Sequence, residues 1–111
     1  MAVATLKAKT ASAFPEAFVE KALREELISL AREKAQVDGT QVPADSDALV
    51  GFPIGLDSLL VVNNLCALDE ILSFEVGENV VKAGGYDSIK DAMEHLMPRL
   101  RREWAKHHAG G

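Results

Sequence analysis

Three runs of apolar residues recur at helical spacing, and between them they leave little room for anything but a helical fold. In the first, Val19, Leu23, Leu27 and Leu30 fall on one face of a helix predicted from Pro15 to about Val37. Pro15 suits a first helical turn, Glu16 suits the positive end of the dipole, and Asp38-Gly39 marks the stop. In the third, Ile89, Met93, Leu96, Leu100 and Trp104 form a stripe that starts at Asp87 or Ser88, where Ser88 and Asp91 have capping-box spacing. Pro98 interrupts that stripe and is expected to kink or restart the helix, because its ring removes one hydrogen bond and crowds the carbonyl of Glu94. No two alternating runs are joined by a hairpin signal, and no internal repeat is visible. The chain is expected to be all-α.

The middle run is the stretch GLDSLLVVNNLCALDEIL, residues 55 to 72. Asp57 opens it, Leu59, Val62, Cys66 and Leu68 to Leu72 are expected to give it a broad apolar surface, and its end is placed near Ser73. Before it, DGTQVPADSDALVGFPIG has the Pro, Gly, Asp and Ser density of a long loop. Val42, Leu49, Phe52 and Ile54 are spaced through that loop, so it should lie over the core. After it, one or two helical turns are expected around Glu78 to Ala83 before Gly84-Gly85 breaks them. Residues 1–13 are small, polar and weakly basic, which predicts a flexible N-terminal lead-in. One domain over residues 14–97 and a basic extension over 98–111 complete the division.

Twelve basic against seventeen acidic residues leave a net charge of −5, which argues against nucleic-acid binding and favours a cationic partner. Cys66 has no second cysteine to pair with, and no apolar run is long enough for membrane insertion. The first residues have no apolar core of the secretory kind, so a soluble, cytoplasmic protein, monomeric in solution, is expected.

Ser58 is the residue that bears on function. Placed with Asp57 at a helix start, it reads either as part of an N-cap or as a modification site whose hydroxyl lies outside the bundle. A phosphodiester there would meet free backbone N–H groups and the positive end of the dipole. The segment "GLDSL" at the head of the second helix resembles the attachment motif of acyl carrier proteins, and the resemblance extends from about Phe18 to Leu96. It implies a four-helix bundle with three main helices, a short third helix and a long loop after the first. In that family the serine of the motif receives 4'-phosphopantetheine from coenzyme A, and here the matching residue is Ser58, flanked by Asp57 and Leu59. Asp57 would help a phosphopantetheinyl transferase engage its metal, and acyl-loading ligase or synthase enzymes would be the other partners. The thioester chemistry then belongs to the cofactor and to visiting enzymes, so the chain itself is not expected to be an enzyme.

A partner-recognition face is expected at Val62, Asp69, Glu70, Glu75 and Glu78, since residues 57 to 79 contain no basic side chain. A cargo pocket is expected at Asn64, Cys66 and Leu68. Many carriers of fatty acid biosynthesis crowd this helix with carboxylates; here its middle is bare, and Asn63-Asn64 stands where the family shows an acid followed by an apolar residue. Asn64 should bond loop backbone if buried, or else line the cargo space and favour a short or polar acyl group. The tail around Arg99, Arg101, Arg102, Trp104 and Lys106 is expected to complement the helix dipole, with Trp104 packing on the first helix. These departures point to a specialised carrier.

Other constellations carry less. Asp57, Ser58 and His95 have the letters of a hydrolase triad but no nucleophile elbow around the serine. Cys66 is expected to be a small core residue, and His107-His108 make a poor chelate. The rival reading is a non-modified helical adaptor that binds a partner through the apolar surface around Leu59 and Val62.

Overall fold

The structure, a computed structural model, describes residues 14–72, 74–76 and 78–108. The expected lead-in over 1–13 and the helix end near Ser73 lie outside the described residues. Among the described residues the fold is helical, with no strand. The helices are α1 (Glu16–Asp38), α2 (Ser46–Val50), α3 (Ser58–Leu65), α4 (Asp69–Leu72) and α5 (Ile89–His108), with 3-10 turns at Cys66–Leu68 and Glu78–Val80.

Helix α1 forms where its stripe demands. Pro15 stands at its N-cap, and Val19, Leu23, Leu27 and Leu30 are buried together with Ala31 and Ala35. Gly39 stops the helix in the left-handed region at φ 72°, and Thr40 donates to the Ala35 carbonyl at 2.8 Å. Helix α1 packs against both α3 and α5. In α5 the Ser88 hydroxyl accepts from the Asp91 N–H at 3.1 Å, as the capping spacing predicts. The helix does not restart at Pro98: it runs unbroken to His108, with the proline on the exposed side, where water can satisfy the Glu94 carbonyl. Leu100 and Trp104 are buried beyond it, and Phe14 meets Trp104 edge-on at 6.0 Å. The tail assigned to an extension from residue 98 is thus continuous with the core, and Arg101 ties it to Glu16 of α1.

The middle helix departs from its expected phase. Val61, Leu65, Leu68 and Leu72 are buried, while Leu59 and Cys66 are exposed and Val62 is half-buried. Apolar residues fill 59–62 and 65–68 almost without gap, so two stripes fit the same letters and tertiary packing selects one. The 3-10 turn at Cys66–Leu68 also tightens the helix midway, which the periodicity does not signal. The short helix expected over Glu78 to Ala83 is only the 3-10 turn Glu78–Val80.

The loop after α1 lies over the core, with Leu49 and Ile54 buried and Val42 and Phe52 half-buried. It contains α2, which composition hides; Asp45 caps it by accepting from the Ala48 N–H at 2.9 Å. Helix α1 holds the loop through Arg32, which donates to the carbonyls of Pro43 and Ala44, and through the Arg24–Asp47 ion pair.

The two loops that flank α3 and α4 are pinned to each other. Leu56 and Tyr86 exchange backbone hydrogen bonds of 2.7 and 2.9 Å as an antiparallel bridge, and Ile54 donates to Asp87 at 2.9 Å. Gly85 makes this approach feasible: its φ is +83°, and a Cβ there would lie 2.0 Å from the Leu56 carbonyl oxygen and 3.0 Å from the Ser58 nitrogen. The Tyr86 hydroxyl accepts from the Lys82 N–H at 2.9 Å and lies 2.7 Å from His95 Nδ1 on α5. Burial pushes the Tyr86 phenol up, whereas burial and the charges of Arg99 and Lys82 hold His95 down. At neutral pH the phenol therefore donates to an uncharged imidazole.

Gly85→Ala should cost well over about 1 kcal/mol, because it adds a backbone clash to a positive φ. Gly51→Ala, at a site with nothing within 4 Å of the added atom and a φ of −90°, should stay within about 0.5 kcal/mol of wild type. Urea unfolding of the two variants checks this, and equal midpoints would remove Gly85 from its role.

Candidate functional site

The bridge between Leu56 and Tyr86 ends one residue before the cap of α3. Asp57 is extended (φ −63°, ψ 137°), and its carboxylate accepts from the Leu59 N–H at 3.2 Å. The cap is therefore Asp57, not Ser58. Ser58 becomes the first helical residue, half-buried, and among the described residues its hydroxyl has no hydrogen-bond partner. The next two side chains turn outward, Leu59 at 65% exposure and Leu60 at 40%. A free hydroxyl, a capping carboxylate and two exposed leucines thus share one helix start.

With the Leu59 N–H taken by the Asp57 carboxylate and the Val61 N–H by the Asp57 carbonyl, the Ser58 and Leu60 N–H groups are the first-turn donors left for an anion at this helix start. Below it, Val61 and Leu65 are buried and apolar, so the hydroxyl stands at the edge of the core. A free hydroxyl and these donors are what the helix start offers to an anionic group.

The expected cargo pocket does not assemble. Asn64 is half-buried and donates from Nδ2 to the Leu60 carbonyl of its own helix at 2.9 Å, so it neither bonds loop backbone nor lines the interior. A side-chain amide bonding back four residues satisfies itself locally. Cys66 is exposed, not a core residue, and its sulfur faces the Val62 carbonyl at 3.9 Å. Of the three, Leu68 alone is in the core.

The residues expected on an acidic face differ in their settings. Glu70 and Glu75 are exposed, and Val62 is half-buried beside Leu59. Asp69 serves the fold instead, since its half-buried carboxylate accepts from the buried Val76 N–H at 3.0 Å and closes the turn after α4. The Glu78 side chain is not among those described. No lysine, arginine or histidine occurs between Lys34 and Lys82, so α3 and α4 carry no positive charge. The triad letters do not converge, since Asp57 is engaged with Leu59 and His95 with Tyr86. Among the described residues, no group of three His, Cys, Asp or Glu is placed to hold a metal ion, and no helix is long and apolar enough to cross a membrane.

Two residues of the site escape a sequence reading. Leu60 is hidden in an apolar run and gains its exposure only from the phase of α3, and Gly85 reads as a helix breaker although its close partner is the chain before Ser58. In comparisons with known proteins, no family model, no curated protein and no solved structure matches the chain.

The neighbouring carboxylates Asp69 and Glu70 should respond differently to reversal. Asp69→Lys strands the buried Val76 N–H and should cost about 1–3 kcal/mol, while the exposed Glu70→Lys should stay within about 0.5 kcal/mol. Thermal unfolding of both variants distinguishes them, and equal stabilities would count against the Asp69 turn.

Proposed function

We propose that the chain is a specialised acyl carrier protein, a cytoplasmic helical carrier that holds an acyl group as a thioester on 4'-phosphopantetheine attached to Ser58. The observation that carries this reading is the setting of Ser58: a hydroxyl with no partner among the described residues, in the first turn of a helix already capped by Asp57. A serine that caps its own helix would be committed to the backbone; one displaced into the first turn is left for another molecule. When bound, the cofactor would supply the thiol that forms the thioester. The protein contributes position, an anion-favouring helix start and a recognition surface.

Recognition follows from the same geometry. Leu59 and Leu60 offer an apolar contact, and α3 and α4 carry no basic side chain to repel cationic patches on a phosphopantetheinyl transferase or an acyl-loading ligase or synthase. Glu70 and Glu75 are the exposed carboxylates of that face. Asp57 serves as cap and, in the transferase complex, as the carboxylate beside the attacking hydroxyl.

The same exposed leucines favour a second reading, a non-modified adaptor. Leu60 borders a groove of about 370 Å³ that Leu30 and Val37 of α1 also line. An apolar side chain of a partner would fit there without any modification of Ser58. In this reading the contact centres on Leu59 and Leu60, since Val62 is half-buried.

Intact-mass measurement after incubation with coenzyme A and a phosphopantetheinyl transferase separates the two. Wild type should gain one phosphopantetheine, and Ser58→Ala should gain none while losing less than about 1 kcal/mol of stability, because the cap is retained. An unmodified wild type, or a Ser58→Ala protein modified at another serine, would sink the carrier assignment.

A further inference from the structure

Away from Ser58, three cations gather around one pocket. Arg99, Arg102 and Lys106 of α5 are spaced by three and four residues and so share a face of the helix. With Asn79, Val80 and Glu103 they line a recess of about 250 Å³ between α5 and the Glu78–Val80 turn.

The chain otherwise partners its arginines. Arg24 pairs with Asp47, Arg101 pairs with Glu16, and Arg32 donates to two loop carbonyls. Among the described residues, Arg99 and Arg102 alone of the five arginines have no hydrogen-bond or ion-pair partner. Glu103, the one carboxylate lining the recess among the described residues, already faces Lys106 at 3.3 Å and His107 at 4.0 Å. Helix-dipole stabilisation does not account for the two arginines, because that effect fades within the last turn and α5 continues to His108. Arg99 is also half-buried, so its charge is held at the protein surface instead of extending freely into water.

We propose that this recess is a binding site for a small phosphate-bearing anion. Two guanidinium groups present planar forks that match phosphate oxygens, Lys106 adds a point charge, and the Asn79 amide adds a neutral donor. Among the described residues three cations stand against one carboxylate in the recess, in a chain whose net charge is −5, so a phosphate reaching it meets local attraction against the overall field. A diphosphate, which can engage both forks, binds more tightly than a single phosphate. The site stands independently of any modification at Ser58.

The test uses the full chain, with inorganic phosphate and pyrophosphate titrated at constant ionic strength and followed by NMR of backbone amides and arginine Nε–H groups. Saturable shifts should centre on Asn79, Arg99, Arg102 and Lys106, with pyrophosphate the tighter ligand. Arg99→Gln with Arg102→Gln should weaken pyrophosphate binding about tenfold or more, and Arg101→Gln, whose partner is Glu16, should change it less than about twofold. Should the double variant lose its helical circular dichroism, Arg102→Gln alone, at an exposed position, decides the matter through a smaller loss of affinity. Shifts that rise linearly without saturating, that spread over the basic surface, or that persist unchanged in the arginine variants would overturn the site.

Discussion

Leu56 and Tyr86 face each other across the two loops that flank α3 and α4, and their paired backbone bonds of 2.7 and 2.9 Å join segments thirty residues apart. The junction needs a residue without a side chain at Gly85, since a Cβ there would reach to 2.0 Å from the Leu56 oxygen. Tyr86 extends the junction to α5 through His95, and Ile54 extends it to Asp87. The direction in which α3 starts is therefore set by a backbone clamp before the helix forms its first turn.

From that start the rest of the site follows. Asp57 leaves the clamp in an extended conformation and caps α3, which frees the Ser58 hydroxyl. Packing against the core then sets the rotation of the helix, turning Val61 and Leu65 inward and Leu59 and Leu60 outward. The same rotation exposes Cys66 and lets Asn64 close on its own helix. Further along, Asp69 closes the turn after α4, and Phe74 stacks on His107 at 4.1 Å, tying that turn to the end of α5. Two different chemistries thus occupy separate surfaces: a free hydroxyl where no basic residue intervenes in α3 and α4, and a cationic recess on α5.

How much of this was legible depends on how far the determining contacts lie along the chain. The outer helices were legible because their stripes are separated by polar residues and bounded by Pro15, Gly39 and Ser88, all of them local signals. The phase of α3 was not, because apolar residues occupy both faces of its first turns and only packing against the rest of the core chooses between them. Helix α2 was hidden in a loop composition whose one local cue is the cap at Asp45. The position of Ser58 at a helix start was legible from Gly55, Asp57 and the apolar run that follows, but the division of labour between cap and free hydroxyl needed the geometry. Gly85 was legible as a glycine, and its partner some thirty residues earlier was not.

Amide hydrogen exchange at Leu56 and Tyr86 bears most directly on the dependence of the Ser58 site on its clamp. If the clamp fixes the start of α3, both amides should exchange as slowly as core amides of α1 such as Leu27, opening only with the whole fold. Exchange as fast as at the exposed Gly55, with α1 still protected, would show that the loops separate freely and that the setting of Ser58 does not depend on them.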